Sequence, residues 1–163
     1  MVVNQFTKED ILQILSVIID PEIPVVTIEE MGMLKDVKVN GDEVEVLLTP
    51  TYTGCPAMNL IEQDIKMTLA SKGVQHVSVK LVYDPAWTTD WMTDIAKAKM
   101  KLYGIAPPLT SACNSERFTD NVIECPHCGS KQTQLISRFG STACKSLFTC
   151  KACLEPFEYF KCH

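Results

Sequence analysis

The sequence TPTYTGCP at residues 49–56 decides the fold of the first half of the chain, because it joins a predicted strand directly to a predicted helix. Gly54 permits the sharp turn, and Pro56 suits the first position of the helix, which leaves Cys55 at the N-cap. There the sulfur would lie beside unpaired N–H groups and the positive end of the helix dipole, conditions that lower the pKa of a thiol. From this placement alone, two interpretations of Cys55 stay open. It is either a functional thiolate or a buried cysteine that serves only as a small hydrophobic side chain.

Alternating apolar residues on both sides of this stretch predict a small sheet. Valines alternate with polar residues before and after Asn40-Gly41, a pair typical of tight hairpin turns. A second alternating run at 77–83 predicts a third strand, and helical spacing predicts helices before, between and after these strands, with one or two over 88–103. The order α-β-β-α-β-α predicts an α+β fold, in which helices pack on one face of a three-stranded sheet.

The domain organisation follows from a change in composition beyond this region. Pro107-Pro108 and a run of small polar residues predict a linker. We expect an α/β domain at 1–105, a linker at 106–119 and a metal-binding, zinc-ribbon-like tail at 120–163.

Two C-x₂-C units, 21 residues apart, give the tail its chemistry. Two such units can place four thiolates in a tetrahedron around one metal ion. Zinc is favoured over iron because the site looks closed and structural, and the metal would supply much of the folding free energy of a tail with few aliphatic residues. The predicted ligands are Cys125, Cys128, Cys150 and Cys153.

Four further cysteine and histidine residues in the tail leave two alternatives open. Either they are spare metal ligands or Cys144 and Cys162 face each other in a weak second site. We favour neither of these, and expect that His127 and His163 are solvated and that Cys144 packs beneath the hairpin.

Composition excludes several classes of protein. The chain has 163 residues, 46% hydrophobic and 21% charged, with a net charge of −5, which is typical of a globular protein without the basic face of a nucleic-acid binder. No apolar run approaches the ~20 residues of a membrane helix, and the start has no signal-peptide core. We expect a cytoplasmic protein, in which cysteines serve metal binding or thiol chemistry rather than disulfides.

Several motifs resemble known families. The sequences DPE at 20–22, EMG at 30–32 and TPTYTGCP resemble the small α/β domain of bacterial and eukaryotic factors of cytosolic iron–sulfur protein maturation. The sequences FGSTACK at 139–145 and CLEPFEYFKCH at 153–163 resemble the protein D family of bacterial phenylacetate degradation. That family accompanies the multicomponent oxygenase that epoxidises the ring of phenylacetyl-CoA, so the resemblance implies oxygenase and reductase components as partners.

The resemblance also implies a site around Cys55. In the family, the matching cysteine and the acidic motif matching Asp20 and Glu22 are the usual functional residues. With hydroxyls from Thr51 and Thr53, these groups could hold iron or an iron–sulfur cluster briefly. One cysteine cannot hold a stable cluster, because clusters generally need about four thiolates. A transient site, or a homodimer in which each protomer contributes Cys55, would meet that objection.

Three functional hypotheses follow. The first is an accessory, non-catalytic maturation protein that assists iron–sulfur or iron cofactor assembly in the oxygenase system, with a zinc-stabilised docking tail. The second is an enzyme with Cys55 as nucleophile, which would normally need a histidine base. The chain has three histidines, His76, His127 and His163, and two lie in or beside the metal module, which counts against catalysis. The third is a structural subunit of the oxygenase.

Overall fold

The computed structural model describes residues 6–109 and 122–162. The chain divides into two compact units, Met1–Trp87 and Thr88–His163. The first domain expected from the sequence extends to residue 105, and its bounds stay a prediction.

The described part of the first unit consists of α1 (Lys8–Leu15), β1 (Ile19–Asp20), β2 (Ile23–Thr27), β3 (Leu34–Asn40), β4 (Glu43–Leu48), α2 (Ala57–Ser71) and β5 (His76–Leu81). Its main sheet has the strand order β3-β4-β5, in which β3 and β4 are antiparallel and β4 and β5 are parallel. Helix α1 packs against α2 and β3, and α2 packs against β5. The predicted α+β class is confirmed.

One face of this sheet carries the core and the other carries charge. Val44, Val46 and Leu48 alternate along β4 and are at most 2% exposed. On the opposite face, Lys38 and Lys80 both form ion pairs with Glu45. The period of two in the sequence therefore separates an apolar face, which the helices cover, from a solvated one.

The first helix, α1, begins with a side-chain cap at Thr7 and ends before a short hairpin. The Thr7 hydroxyl accepts from the Asp10 N–H, and the Asp10 carboxylate accepts from the Thr7 N–H, which is a capping box. The helix ends at Leu15, because residues 19–20 pair with β2 in a small hairpin. A two-residue strand is too short to show a periodic pattern, so the sequence did not reveal it.

The described part of the second unit consists of a 3₁₀ helix (Thr89–Trp91), α3 (Asp94–Tyr103), β6 (Ile105–Ala106), β7 (Thr133–Ser137), β8 (Lys145–Cys150) and β9 (Pro156–Phe160). Its sheet has the order β6-β9-β8-β7, with β6 parallel to β9 and the other pairs antiparallel. The two helices expected over 88–103 are confirmed, and α3 ends at Gly104 with φ 97°.

Strand β6 explains the position of the division between the units. It pairs with β9 and is contacted by α3, so both elements belong with the tail strands. The first domain boundary, expected at residue 105, therefore lies inside a strand of the second unit. Most of the linker expected at 106–119 lies outside the described residues, so its bounds stay a prediction.

An aromatic core fills the tail sheet. The rings of Phe148 and Phe157 stack with centroids 5.8 Å apart, and Tyr159 meets Phe148 edge-on at 5.9 Å. Cys125 and Cys150 belong to the same buried cluster. The metal-ligand candidates are thus fixed at one side by the hydrophobic core of the tail.

Candidate metal centre and Cys55 loop

Four cysteines of the tail converge on one point. The sulfurs of Cys125, Cys128, Cys150 and Cys153 all lie within 4.8 Å of one another. The Cys125–Cys153 sulfur distance is 3.8 Å and the Cys128–Cys150 distance is 3.6 Å. A tetrahedral ion with metal–sulfur bonds of about 2.3 Å has sulfur–sulfur edges of roughly 3.8 Å. The donor set and its spacing therefore fit a tetrahedral metal ion, and the tail is a metal-binding module.

The two C-x₂-C units share one backbone geometry. The residue after the second cysteine has positive φ in both, 74° at Gly129 and 67° at Leu154. In the first unit the Gly129 N–H donates to the Cys125 carbonyl at 2.9 Å, and in the second the Ala152 N–H approaches the Cys150 sulfur at 3.4 Å. These turns point both sulfurs of each unit toward the same centre.

The thiols of Cys150 and Cys153 influence each other's ionisation. N–H groups of Cys153 and Ala152 donate to the Cys150 sulfur and lower its pKa to about 6. For Cys153, the Glu155 N–H favours the thiolate, but burial and the neighbouring sulfurs outweigh it and raise the pKa to about 12. A bound cation would remove this conflict, because its charge compensates that of the thiolates.

The remaining cysteines and histidines of the tail do not form a second cluster among the described residues. Cys144 is buried, with the Thr142 hydroxyl 3.0 Å from its sulfur, and His127 is exposed, as we favoured. Cys162 is disulfide-bonded, which differs from our expectation for the cysteines of this chain, and so it offers no thiolate. His163 lies outside the part of the chain that the structure describes.

The Cys55 loop connects β4 to α2 through the predicted turn. Gly54 has φ 83°, and the Cys55 N–H donates to the Tyr52 carbonyl at 3.3 Å. Helix α2 begins at Ala57 with Pro56 as its N-cap, so Cys55 precedes the cap by one residue instead of occupying it. The Ala57 N–H nevertheless donates to the thiol, so the start of the helix still reaches the sulfur.

The predicted low pKa of Cys55 is wrong. The residue is 7% exposed, and this burial is the largest effect on the thiol and raises its pKa. The Ala57 N–H acts in the opposite direction, but the carboxylates of Glu22 and Asp20 raise the pKa further. A hydrogen bond with the Thr51 side chain favours the thiolate only slightly. Cys55 is therefore a protonated thiol at neutral pH.

The structure thus brings four of the five predicted site residues together. Asp20, Glu22 and Thr51 each interact with the Cys55 thiol, whereas Thr53 is exposed and is not among the described groups that act on it. Asp20 also has a structural role, because its carboxylate accepts from the N–H groups of Glu22 at 2.7 Å and Ile23 at 3.1 Å. That turn holds Glu22 on the side facing Cys55.

Two features of this region were missed by the sequence analysis. The indole N–H of Trp87 donates to the Met31 carbonyl at 2.9 Å, which fixes the loop that contains EMG. Thr49 is 1% exposed, and its hydroxyl has no hydrogen-bond partner among the described residues. Sequence spacing predicts neither feature. The hydrogen bond of Trp87 joins residues that are distant in the sequence, and the state of the Thr49 hydroxyl depends on its burial.

Two models of known protein families match this chain, one in each unit. The model of the iron–sulfur cluster assembly protein family matches residues 8–81, and that of the PaaD zinc beta ribbon domain matches residues 110–161. A protein of Escherichia coli K12, provisionally named as a component of 1,2-phenylacetyl-CoA epoxidase, is 46% identical over 94% of this chain and 92% of its own length. The chain belongs to the family of this epoxidase component. The resemblance inferred from the motifs is thereby confirmed.

Other relatives match over a part of this chain. A Porphyromonas gingivalis protein named Fe-S protein maturation auxiliary factor is 38% identical over 60% of this chain and 95% of its own length. The crystal structure of a DUF59 domain from Bacillus anthracis, 28% identical, covers 57% of this chain and 90% of that one with a TM-score of 0.53. No helix in the described residues is both long and apolar enough to cross a membrane.

Proposed function

We propose that this chain is an accessory maturation protein of the phenylacetyl-CoA oxygenase system, which assists assembly of the iron–sulfur or iron cofactors of the oxygenase and reductase components. Cys55 is the ligand that takes up and releases the iron or cluster. The names of three relatives that match a part of the chain, Fe-S protein maturation auxiliary factors, support the general role. The name of the Escherichia coli relative supports the oxygenase system as the client.

The electrostatic effect of two nearby carboxylates on the Cys55 thiol is the observation that carries this proposal. Asp20 is 4% exposed and Glu22 half-buried, and both act on the thiol electrostatically. Adjacent carboxylates hinder formation of a bare thiolate, but they favour a bound cation. The site is therefore arranged for a metal ion or cluster rather than for a free nucleophile.

The raised pKa of the thiol explains why such binding would be transient. Iron must displace the proton of Cys55, and this displacement costs more free energy when the thiol pKa is raised. One thiolate with two carboxylates is also short of the four thiolates of a stable cluster. Weak, reversible binding suits a protein that passes its cargo on, and a homodimer in which two protomers each supply Cys55 would complete the site.

The tail would hold zinc as a structural ion. Cys125, Cys128, Cys150 and Cys153 would bind it, and zinc would supply folding free energy and compensate the thiolate charge. Four sulfur ligands would fill the tetrahedral coordination of the ion and leave no position for water or substrate, which supports a structural role.

The enzyme hypothesis is less well supported. A cysteine nucleophile needs a depressed pKa or a nearby base, whereas burial and the carboxylates of Glu22 and Asp20 raise the pKa of Cys55. The name of the Escherichia coli relative favours one other candidate, a non-catalytic structural subunit of the oxygenase.

Replacement of Cys55 by serine tests the proposal in cells. We expect the reductase and oxygenase purified from the Cys55→Ser strain to contain several-fold less iron and acid-labile sulfide than those from the parent strain. Cys144→Ser is the control, since Cys144 is also a buried thiol but lies in the other unit. Full cofactor content with Cys55→Ser would eliminate the maturation role. Co-purification of the chain in fixed stoichiometry with a fully loaded oxygenase would instead support the structural subunit.

A further inference from the structure

The end of the tail sheet away from the metal ligands carries features that metal binding does not explain. Lys145 and Cys150 occupy the two ends of β8, and the five residue-to-residue steps between them span about 16 Å. The loop 139–145 meets residues 158–161 at the Lys145 end.

A largely buried ion pair fixes the loop 139–145. Lys145 is 3% exposed, and its ammonium group lies 3.0 Å from Oε2 of Glu158. The other oxygen, Oε1, accepts from the Ser141 N–H at 2.5 Å. A Cβ at Gly140 would lie 2.6 Å from the same oxygen, so the loop approaches Glu158 as closely as glycine permits. Buried ion pairs often stabilise a fold less than apolar packing does. We therefore assign the pair of Lys145 and Glu158 the role of holding the loop in one conformation.

This fixed loop presents an aromatic ring to solvent. Phe139 is 65% exposed, and the Lys161 ammonium lies 4.6 Å from its ring centroid. Lys161 also donates to the Arg138 carbonyl at 3.1 Å, which ties the ring to β9. Ile136, three residues earlier, is 55% exposed. We name Ile136, Arg138, Phe139 and Lys161 the Phe139 surface.

The Phe139 surface combines an exposed ring with positive charge. Arg138 is exposed and has no ion-pair partner among the described residues. Apart from its cysteines, the tail segment 122–162 carries five cationic and three anionic side chains, a net charge of +2. Of the anions, Glu158 pairs with Lys145 and Glu124 pairs with Lys101. Among the described residues, Arg138 therefore places a positive charge beside Phe139, and this charge is complementary to an acidic partner.

We propose that the Phe139 surface is the docking site for an acidic protein surface, with the Phe139 ring in an apolar pocket and carboxylates of the partner around Arg138 and Lys161. Rigid aromatic side chains flanked by arginine are typical of the residues that dominate interface energetics. The inference rests on the proposed function in one respect, namely that the partner is the oxygenase or reductase component that receives the cofactor.

The test measures binding of the full-length, zinc-loaded chain to purified oxygenase and reductase components. We expect Phe139→Ala to weaken binding to one component about tenfold or more, and Arg138→Glu to do the same mainly through a slower association rate. Leu102→Ala and Lys131→Glu are the controls, because Leu102 is 89% exposed on α3 and Lys131 is exposed in the tail. Both controls should bind as the parent chain does. Unchanged zinc content and circular dichroism would show that the variants are folded.

Three results would overturn the docking site. If Phe139→Ala and Arg138→Glu bind the component as tightly as the parent chain, the surface is not the interface, while the maturation role stands. If the parent chain binds neither component, both the docking site and the assignment of the client are wrong. If the two variants instead lose affinity for a 20-base-pair DNA duplex and not for the components, the positive charge serves nucleic-acid binding.

Discussion

The carboxylate of Glu22 lies within electrostatic reach of the Cys55 thiol, and the pKa of that thiol is raised, first by burial and then by this negative charge. Glu22 follows β1 and Cys55 follows β4, so the contact exists only in the folded unit. The raised thiol pKa differs from that expected at the site of a thiol enzyme, in which a neighbouring cation or base would lower the thiol pKa.

The first prediction concerns the reactivity of Cys55. Because the thiol pKa is raised, alkylation by iodoacetamide should be slower than for an ordinary exposed thiol at pH 7, and it should rise about tenfold per pH unit while the thiol stays mostly protonated. Glu22→Gln removes one cause of the raised pKa and should increase the rate at pH 7 several-fold. Mass spectrometry of the peptide that contains Cys55 measures both rates.

Glu29→Gln is the matched control for that measurement, since Glu29 is exposed in the same unit and is not among the groups that shift the thiol pKa. A slower reaction in Glu22→Gln than in the parent chain would show that the carboxylate does not act on the thiol as described.

The second prediction concerns the metal in the tail. Cys125→Ser removes a fully buried sulfur, and we expect loss of the bound zinc and loss of amide protection over 133–160, because the ion contributes folding free energy. Mass-spectrometric metal analysis and hydrogen exchange of the full chain measure these effects. Cys144→Ser should keep about one zinc per chain, and retention of zinc by Cys125→Ser would contradict the four-sulfur site.

The third prediction concerns Gly140. A methyl group there would meet Oε1 of Glu158 at 2.6 Å, so Gly140→Ala should destabilise the tail by about 1–3 kcal/mol. Ala143→Gly alters one methyl group in the same loop at an exposed position and should cost about 1 kcal/mol or less. Denaturant unfolding followed in the tail compares the two, and equal effects would mean that the loop tolerates displacement from Glu158.

The fourth prediction concerns Thr49, whose buried hydroxyl has no described partner. Thr49→Val keeps the shape of the side chain and removes the unsatisfied group, so it should raise the free energy of unfolding of the first unit by about 1 kcal/mol. Thr68→Val on α2 serves as a partly buried control. A fall in stability for Thr49→Val would indicate that the hydroxyl is satisfied in solution.

The parts of the fold with a local pattern could be predicted from the sequence. The main sheet and the turn at Gly54 follow from alternation and turn chemistry, and the four metal ligands follow from C-x₂-C spacing. The short strands β1 and β6 could not be predicted, because two residues show no period and each depends on a partner that tertiary structure supplies.

The environment of Cys55 shows the same limit. Its place before a helix was evident from Gly54 and Pro56, and from this we expected a lowered pKa. Burial and the carboxylates of Asp20 and Glu22 reverse that expectation, and they come from a distant segment of the chain whose approach no local rule gives. The helix contribution is present, through the Ala57 N–H, but it is outweighed.

Anaerobic cofactor transfer in vitro tests the central claim most directly. The zinc-loaded chain would be mixed with iron, sulfide and apo-reductase, whose recovery of a cluster is followed by absorbance and electron-transfer activity. We predict that the parent chain and Cys144→Ser restore the reductase faster than iron and sulfide alone, and that Cys55→Ser gives no acceleration. Equal acceleration by Cys55→Ser and the parent chain would contradict the assignment of Cys55 as the transfer ligand.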